Sequence, residues 1–373
     1  MKILMITPFP PQISGGSKAS YYFYRYLTEI YNYNIKVLSY QKFQNDKIHV
    51  YNVGLKGKES WIRGTLFLIL GYIRGFFLMI KFNPDIVYSK QLMTPSITAY
   101  FLAKTFRKTL ISHTAGPDIQ SMQFMALNVP SILSKIYYIL FTWLRKRILK
   151  YSSAIICNCK EDCDALQKIY NNKKSILIYN GVKIDKFKFN QIQRCYIRNK
   201  YSIKENESVI VYVGQATIQK QPNILLKIAQ ENLNLIFLIV GPTRKELEEF
   251  GKISQNIIIT GPIYNYIEAY FSAADIFILP SKYEGLSNSM LEALSCSLPI
   301  IVTPVGEAKK LIQHKKNGII SKESIFSFWI NKLLTESSLY NKLKINSRKL
   351  IENEFNWNKS SRKMSQLFEK FKN

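Results

Sequence analysis

From Asp275 to Val302 the chain reads as strand, polar turn, helix and strand, an order few folds accommodate. Asp275-Ile276-Phe277-Ile278-Leu279 is a short apolar run closed by Pro280, as a buried strand would be. Met290, Leu291, Ala293 and Leu294 supply the apolar positions of a helix, and Leu298-Pro299-Ile300-Ile301-Val302 starts the next strand. A βαβ unit of this kind commits the region to a parallel α/β sheet, whose ligands bind beyond the carboxyl ends of the strands. The turn occupies that place. Gly285 permits close backbone approach there, and the helix start offers unpaired N–H groups and positive partial charge to an anion. Glu284 and Glu292 flank the turn, about two helical turns apart, with Glu292 the deeper along the helix.

An apolar strand ending in Pro280-Ser281 and followed by Glu284-x7-Glu292 resembles the nucleotide-sugar site of retaining glycosyltransferases of family 4, the glycosyl transferases group 1 type with the glycosyltransferase-B fold. Two solvated glutamates on a surface helix would give the same spacing, so the rest of the chain has to decide.

A length of 373 residues suits two domains. With 47% hydrophobic and 21% charged residues the composition is globular. Five cysteines and the lack of a signal-peptide pattern suggest a reducing, cytosolic setting. Cys157, Cys159 and Cys163 cluster without a fourth ligand, which argues against zinc. The formal charge is +27, and it is uneven: residues 1–190 hold 27 Lys and Arg against 9 Asp and Glu, residues 191–373 hold 25 against 16. Such an excess in the first half points to an anionic partner there. No basic stripe with interleaved aromatics appears, which speaks against nucleic acid.

Taken in order, Lys2–Thr7 reads as a first strand, followed by prolines and then Ser14-Gly15-Gly16-Ser17 opening a helix to Tyr31. Strands follow at Ile35–Tyr40, Ile48–Val53, Ile86–Tyr88, Thr109–His113, Ala154–Cys157 and Ser175–Tyr179. His113 ends its strand, where α/β sheets present functional groups. Trp61–Phe82 is almost long enough to span a membrane, but Arg74 inside it favours a helix on the sheet. Ser134–Lys150 is a basic, aromatic-rich helix suited to a membrane surface, or to burial with a solvated end. A polar helix at Gln191–Tyr201 leads to strands Val209–Val213, Leu235–Val240, Ile257–Thr260, Asp275–Leu279 and Ile300–Thr303, alternating with helices. A polar helical tail from Ser324 is expected to pack outside.

The resemblance covers nearly the whole chain. It implies an α/β protein of two facing Rossmann-like domains with an interdomain cleft: an acceptor-side domain at 1–187, a nucleotide-sugar domain at 188–357 and a last helix, 358–373, crossing back. Asn180-Gly181-Val182-Lys183-Ile184-Asp185-Lys186-Phe187 matches the family's Asn-Gly-Val-x-x-Asp-x-Phe passage between domains. By the same likeness Gly15 and Gly16 lie against the donor diphosphate. Lys220, Gly285, Leu286, Ser287 and Asn288 approach its sugar and phosphates, and Glu292 takes the ribose. Glu284 holds sugar hydroxyls and His113 touches sugar or acceptor, these two being the catalytic candidates. The family's Gly-Arg-x4-Lys-Gly is here Gly214-Gln215 through Lys220-Gln221. Lys220 keeps a point charge for phosphate, whereas Gln215 removes a bidentate cation and puts donor affinity in question.

No Asp-x-Asp motif ends a strand, so the resemblance implies neither metal nor cofactor. It implies hexosyl transfer with retention from a nucleoside-diphosphate sugar, UDP-sugar favoured, to a glycan or lipid-linked acceptor in bacterial-type surface polysaccharide or glycoconjugate synthesis. The charge excess of the first half, the basic helix Ser134–Lys150 and the apolar stretch Trp61–Phe82 add the expectation of a cytoplasmic protein, peripheral on the inner face of the cell membrane, with an anionic membrane surface as partner. A degenerate, non-catalytic partner subunit and a sugar-nucleotide epimerase of the same fold are the alternatives.

Overall fold

Val209-Ile210-Val211-Tyr212-Val213 is buried at every residue, and so is the run from Ile86 to Lys90. Unbroken burial marks parallel strands covered on both faces. The computed structural model describes residues 1–10, 15–43, 48, 50–55, 61–114, 132–170, 174–263 and 265–372, without the side chains of 61, 132–138, 169 and 170. Ser14, the loop after His113 from residue 115 and the first side chains of the basic helix therefore lie outside the described residues. The chain divides into two compact units, Met1–Gly181 with Trp357–Asn373, and Val182–Asn356.

The first unit is built on β1 (Lys2–Ile6), β2 (Asn34–Ser39), β3 (Val50–Asn52), β4 (Ile86–Lys90), β5 (Thr109–His113), β6 (Ala154–Cys157) and β7 (Ser175–Leu177). They form one sheet in the order β3-β2-β1-β4-β5-β6-β7, and every pairing is parallel. Its helices are α1 (Gly15–Glu29), α2 (Trp61–Phe82), α3 (Thr94–Thr105), α4 (Ile132–Tyr151) and α5 (Lys160–Tyr170). Side chains alternate across a strand, and two cores result. Leu4 and Ile6 join Phe67, Leu102 and Ile148 on one face, while Ile3 and Met5 join Phe23, Leu27 and Phe368 on the other.

The second unit holds β8 (Val209–Val213), β9 (Ile236–Val240), β10 (Ile257–Ile259), β11 (Ile276–Leu279), β12 (Ile300–Val302) and β13 (Ile319–Ile320), in the parallel order β10-β9-β8-β11-β12-β13. This is the Rossmann strand order. Around it run α6 (Gln191–Lys200), α7 (Pro222–Glu231), α8 (Arg244–Glu248), α9 (Ile267–Ala273), α10 (Asn288–Ser295), α11 (Ala308–Leu311), α12 (Phe326–Thr335) and α13 (Ser337–Glu354).

One expectation needs correction. The division falls after Gly181, not after residue 187. The reason is Arg348, whose guanidinium donates to the carbonyls of Ile184 (3.3 Å) and Phe187 (2.8 Å), while Val182 N donates to Phe355 O (2.7 Å). These bonds tie 182–187 to the second unit. The last helix, α14 (Trp357–Glu369), belongs to the first unit and buries Trp357, Met364, Leu367 and Phe368 along one stripe. Trp357 stacks on Tyr22 at 5.0 Å and meets the ring of Phe23 edge-on at 5.0 Å.

Candidate functional site

In the second sheet the strand order turns back between β8 and β11, the point at which open α/β sheets bind ligands. The loops leaving those two strands are joined. Lys282 N donates to Gln219 O (2.8 Å), and Gln219 Nε2 donates to Tyr283 O (3.0 Å). Across the seam the Lys220 ammonium pairs with Oε1 of Glu284, which also accepts from Ser281 Oγ (2.9 Å). Gln219 Nε2 reaches Oε2 of Glu284 at 3.4 Å. Glu284 is 7% exposed, and a charge so nearly buried requires donors of this kind.

The turn then feeds α10. Ser287 caps it, its Oγ accepting from Met290 N (3.4 Å), at a helix start whose N–H groups carry positive partial charge. Glu284, Gly285, Ser287 and Met290 line a pocket with Thr303 and Ala308. Leu286 is buried and Asn288, the first helical residue, is half-buried. Behind the turn stands Gly306 at φ +52, where a Cβ would lie 2.1 Å from Glu284 O and 2.5 Å from Gly285 O. Only glycine fits, and the adjoining Glu307 N donates to Gly285 O (3.0 Å). Glu292 is buried on α10; burial first, and then the Glu292 charge, push the Cys296 thiol up. Gln215 is exposed, with its carbonyl accepting from the Tyr212 hydroxyl (3.0 Å). Gln221 adopts the left-handed conformation at φ 50, the geometry that favours the glycine it replaces.

The remaining predicted residues belong to the first unit. Gly15 and Gly16 are the first two residues of α1. Ser20 Oγ donates to Gly16 O (3.0 Å) and shares a 2.6 Å hydrogen bond with Thr7 Oγ1, fixing the helix start beside the end of β1. His113 is the last residue of β5 and fully buried. Its Nδ1 is 2.7 Å from the Tyr88 hydroxyl, and its Nε2 has no partner among the described residues. Burial, reinforced by the charge of Lys90, holds His113 well below the usual imidazole range, so it is neutral at pH 7. A buried ring nitrogen of this kind can exchange a hydrogen bond with a hydroxyl that reaches it.

Sequence reasoning passed over Lys90, Gln219 and Gly306. Lys90 ends β4 in register with His113 and is buried, its Nζ donating to Asn180 Oδ1 (3.3 Å) and lying over the Phe23 ring at 5.1 Å. The strand-end rule that singled out His113 finds Lys90 as well. Gln219 and Gly306 have no such signal, because their roles rest on a second loop. Thus Lys220, Glu284, Gly285 and Ser287 converge within the second unit, with Glu292 on the same helix. Gly15, Gly16 and His113 form part of the first.

Residues 13–186 match the family model Glycosyltransferase Family 4, and residues 194–350 match Glycosyl transferases group 1. An uncharacterized glycosyltransferase of Methanocaldococcus jannaschii is 26% identical over 411 aligned residues, covering 100% of both chains. The UDP-Gal:alpha-D-GlcNAc-diphosphoundecaprenol alpha-1,3-galactosyltransferase of Escherichia coli is 27% identical over 247 residues, 62% of this chain and 63% of that one. Among solved structures, Anabaena HepE in complex with UDP-glucose matches with a TM-score of 0.78 at 15% identity, covering 99% of this chain and 100% of that one. That likeness extends to the fold, the two parallel-sheet units being those of the glycosyltransferase-B class. With both halves matched, the chain belongs to the glycosyltransferases of the family 4, group 1 type.

Proposed function

We propose that the chain is a retaining hexosyltransferase of polysaccharide or glycoconjugate synthesis. It moves a sugar from a UDP-sugar to a glycan or lipid-linked acceptor in the cytoplasm. The observation that carries this is the seam in the second unit, where Lys220 from one switch-point loop meets Glu284 from the other beside the capped start of α10. A diphosphate there would take Lys220 from Glu284 and gain the helix-start N–H groups. A cation and oriented amides together stabilise a leaving diphosphate without calling on a metal. Released from Lys220, Glu284 can accept from sugar hydroxyls, and Glu292 from a ribose. The donor reading is supported by the UDP-galactose named for the Escherichia coli relative and the UDP-glucose bound by HepE.

Titration calorimetry with UDP, UDP-glucose and UDP-galactose tests the site. Lys220→Ala and Glu292→Gln should each cost about 1–3 kcal/mol of donor affinity, the scale of a charge-assisted hydrogen bond. Unchanged affinity in both variants would remove it. The exposed Gln215 favours one rival, a non-catalytic partner subunit. Donor turnover by the unaltered protein separates the two. An active enzyme transfers or hydrolyses donor with Gln215 in place, whereas a degenerate subunit binds donor without turnover.

A further inference from the structure

The outer surface of α2, α3 and α4 has no role in the site. These helices lie side by side on one face of the first sheet. A Cβ on Gly75 of α2 would stand 2.4 Å from Leu102 of α3, and the Tyr151 hydroxyl of α4 donates to Ala103 O of α3 (3.1 Å). On α2, Ile62, Leu66, Ile69, Ile73, Phe77 and Ile80 are all exposed, Phe77 by 65%. At helical spacing these six fall within an arc of about 80°, a single apolar stripe. Phe101 of α3 and Ile139 and Trp143 of α4 extend the exposed apolar surface, Trp143 being 50% exposed with the Arg147 guanidinium 4.8 Å from its ring. Contiguous apolar exposure on this scale marks an interaction surface.

Charge identifies the partner. The three helices contain no aspartate or glutamate. Their exposed charged residues include Arg74, Lys81, Lys104, Lys146, Arg147 and Lys150. A second copy of the same face would set like charges against one another. An anionic bilayer matches both features, taking apolar side chains at the acyl boundary and basic ones at the headgroups.

By length and composition α2 could cross a membrane, but its other face is committed. Phe67, Leu78, Met79 and Phe82 are buried in the sheet's core, and buried Arg63 stacks over Tyr40 at 4.6 Å while donating to Leu55 O (3.2 Å). Spanning would tear out that core, so the helix lies along the surface.

We propose that the outer face of α2, α3 and α4 docks the protein on an anionic lipid bilayer. This deepens the function proposed above, on whose lipid-linked acceptor it rests, by naming the surface that brings the enzyme to that acceptor. The test is flotation of the full chain with vesicles of phosphatidylcholine alone or mixed with phosphatidylglycerol. Wild type should float with the mixed vesicles and much less with the neutral ones. Ile73→Asp with Phe77→Asp should reduce binding about tenfold or more, since each variant side chain forfeits burial of a large apolar group. Lys146→Glu with Arg147→Glu should reduce it at low salt. UDP affinity should hold in both double variants, so loss of lipid binding is not read as misfolding. Failure of wild type to float with mixed vesicles overturns the proposal, as does undiminished flotation of the Ile73→Asp, Phe77→Asp variant. A dimer that this variant makes monomeric, with no flotation by either form, would assign the face to a second copy and overturn it too. Flotation without any UDP affinity would leave the docking surface standing and remove the donor site instead.

Discussion

Glu284→Gln separates two parts of the donor that most substitutions would disturb together. In the ligand-free protein the Glu284 carboxylate engages Lys220, the cation needed by a diphosphate. The side chains of Lys220 and Glu284 are 16% and 9% exposed, so the pair falls between surface pairs and fully buried ones, and about 1–2 kcal/mol is a working strength. Glutamine keeps the shape and can still accept from Ser281, but it releases Lys220. UDP has no sugar to lose, so its affinity should rise about 5- to 30-fold, as that energy converts. A UDP-sugar gains the same freed lysine and loses the carboxylate's bond to its hydroxyls, about 1.5–3 kcal/mol. Its affinity should therefore stay level or fall. Calorimetry with UDP and UDP-glucose on both proteins reads the split directly. If the two ligands move together, or UDP weakens, the competition between Glu284 and diphosphate for Lys220 does not exist.

Two further perturbations follow. His113 is held neutral in the folded state by burial and by Lys90, so it contributes stability in full above the unfolded imidazole pKa. Below about pH 6.5 the unfolded chain gains a proton that the folded one refuses, and stability should fall by up to about 1.4 kcal/mol per pH unit. Denaturant titrations between about pH 7.5 and about pH 5 should show this slope flattened in His113→Asn. Gly306→Ala drives a Cβ into the carbonyls of Glu284 and Gly285 at a positive φ. It should cost about 2–4 kcal/mol and displace the turn, weakening UDP; an unchanged melting temperature would show that the turn does not rest on this glycine.

Much of the fold was legible because buried parallel strands are uninterrupted apolar runs. Val209–Val213 and Thr109–His113 coincide with their strands at both ends, and Trp61–Phe82 with its helix. Short or polar elements were not legible. β13 has two residues, and α5 sets Cys163 and Leu166 among charges that mask its periodicity. The unit boundary was misread because Asn180-Gly181 shows where the chain bends, while Arg348, more than 160 residues away, decides which unit holds 182–187. The turn at Glu284 and the capped helix after it were readable from local chemistry. Gln219 and Gly306 were not, since what they do depends on a loop brought to them by folding.

Hydrogen–deuterium exchange of the full chain with and without saturating UDP tests the central claim most directly. The claim is that the switch-point loops of the second unit hold a nucleoside diphosphate. Ligand-bound segments exchange more slowly because opening becomes rarer. The account predicts that the strongest slowing in the second unit falls on Gly214–Gln221 and Ser281–Glu292, with the N–H groups at the start of α10 included. Slowing confined to other segments, with these two loops unchanged at saturation, would contradict it.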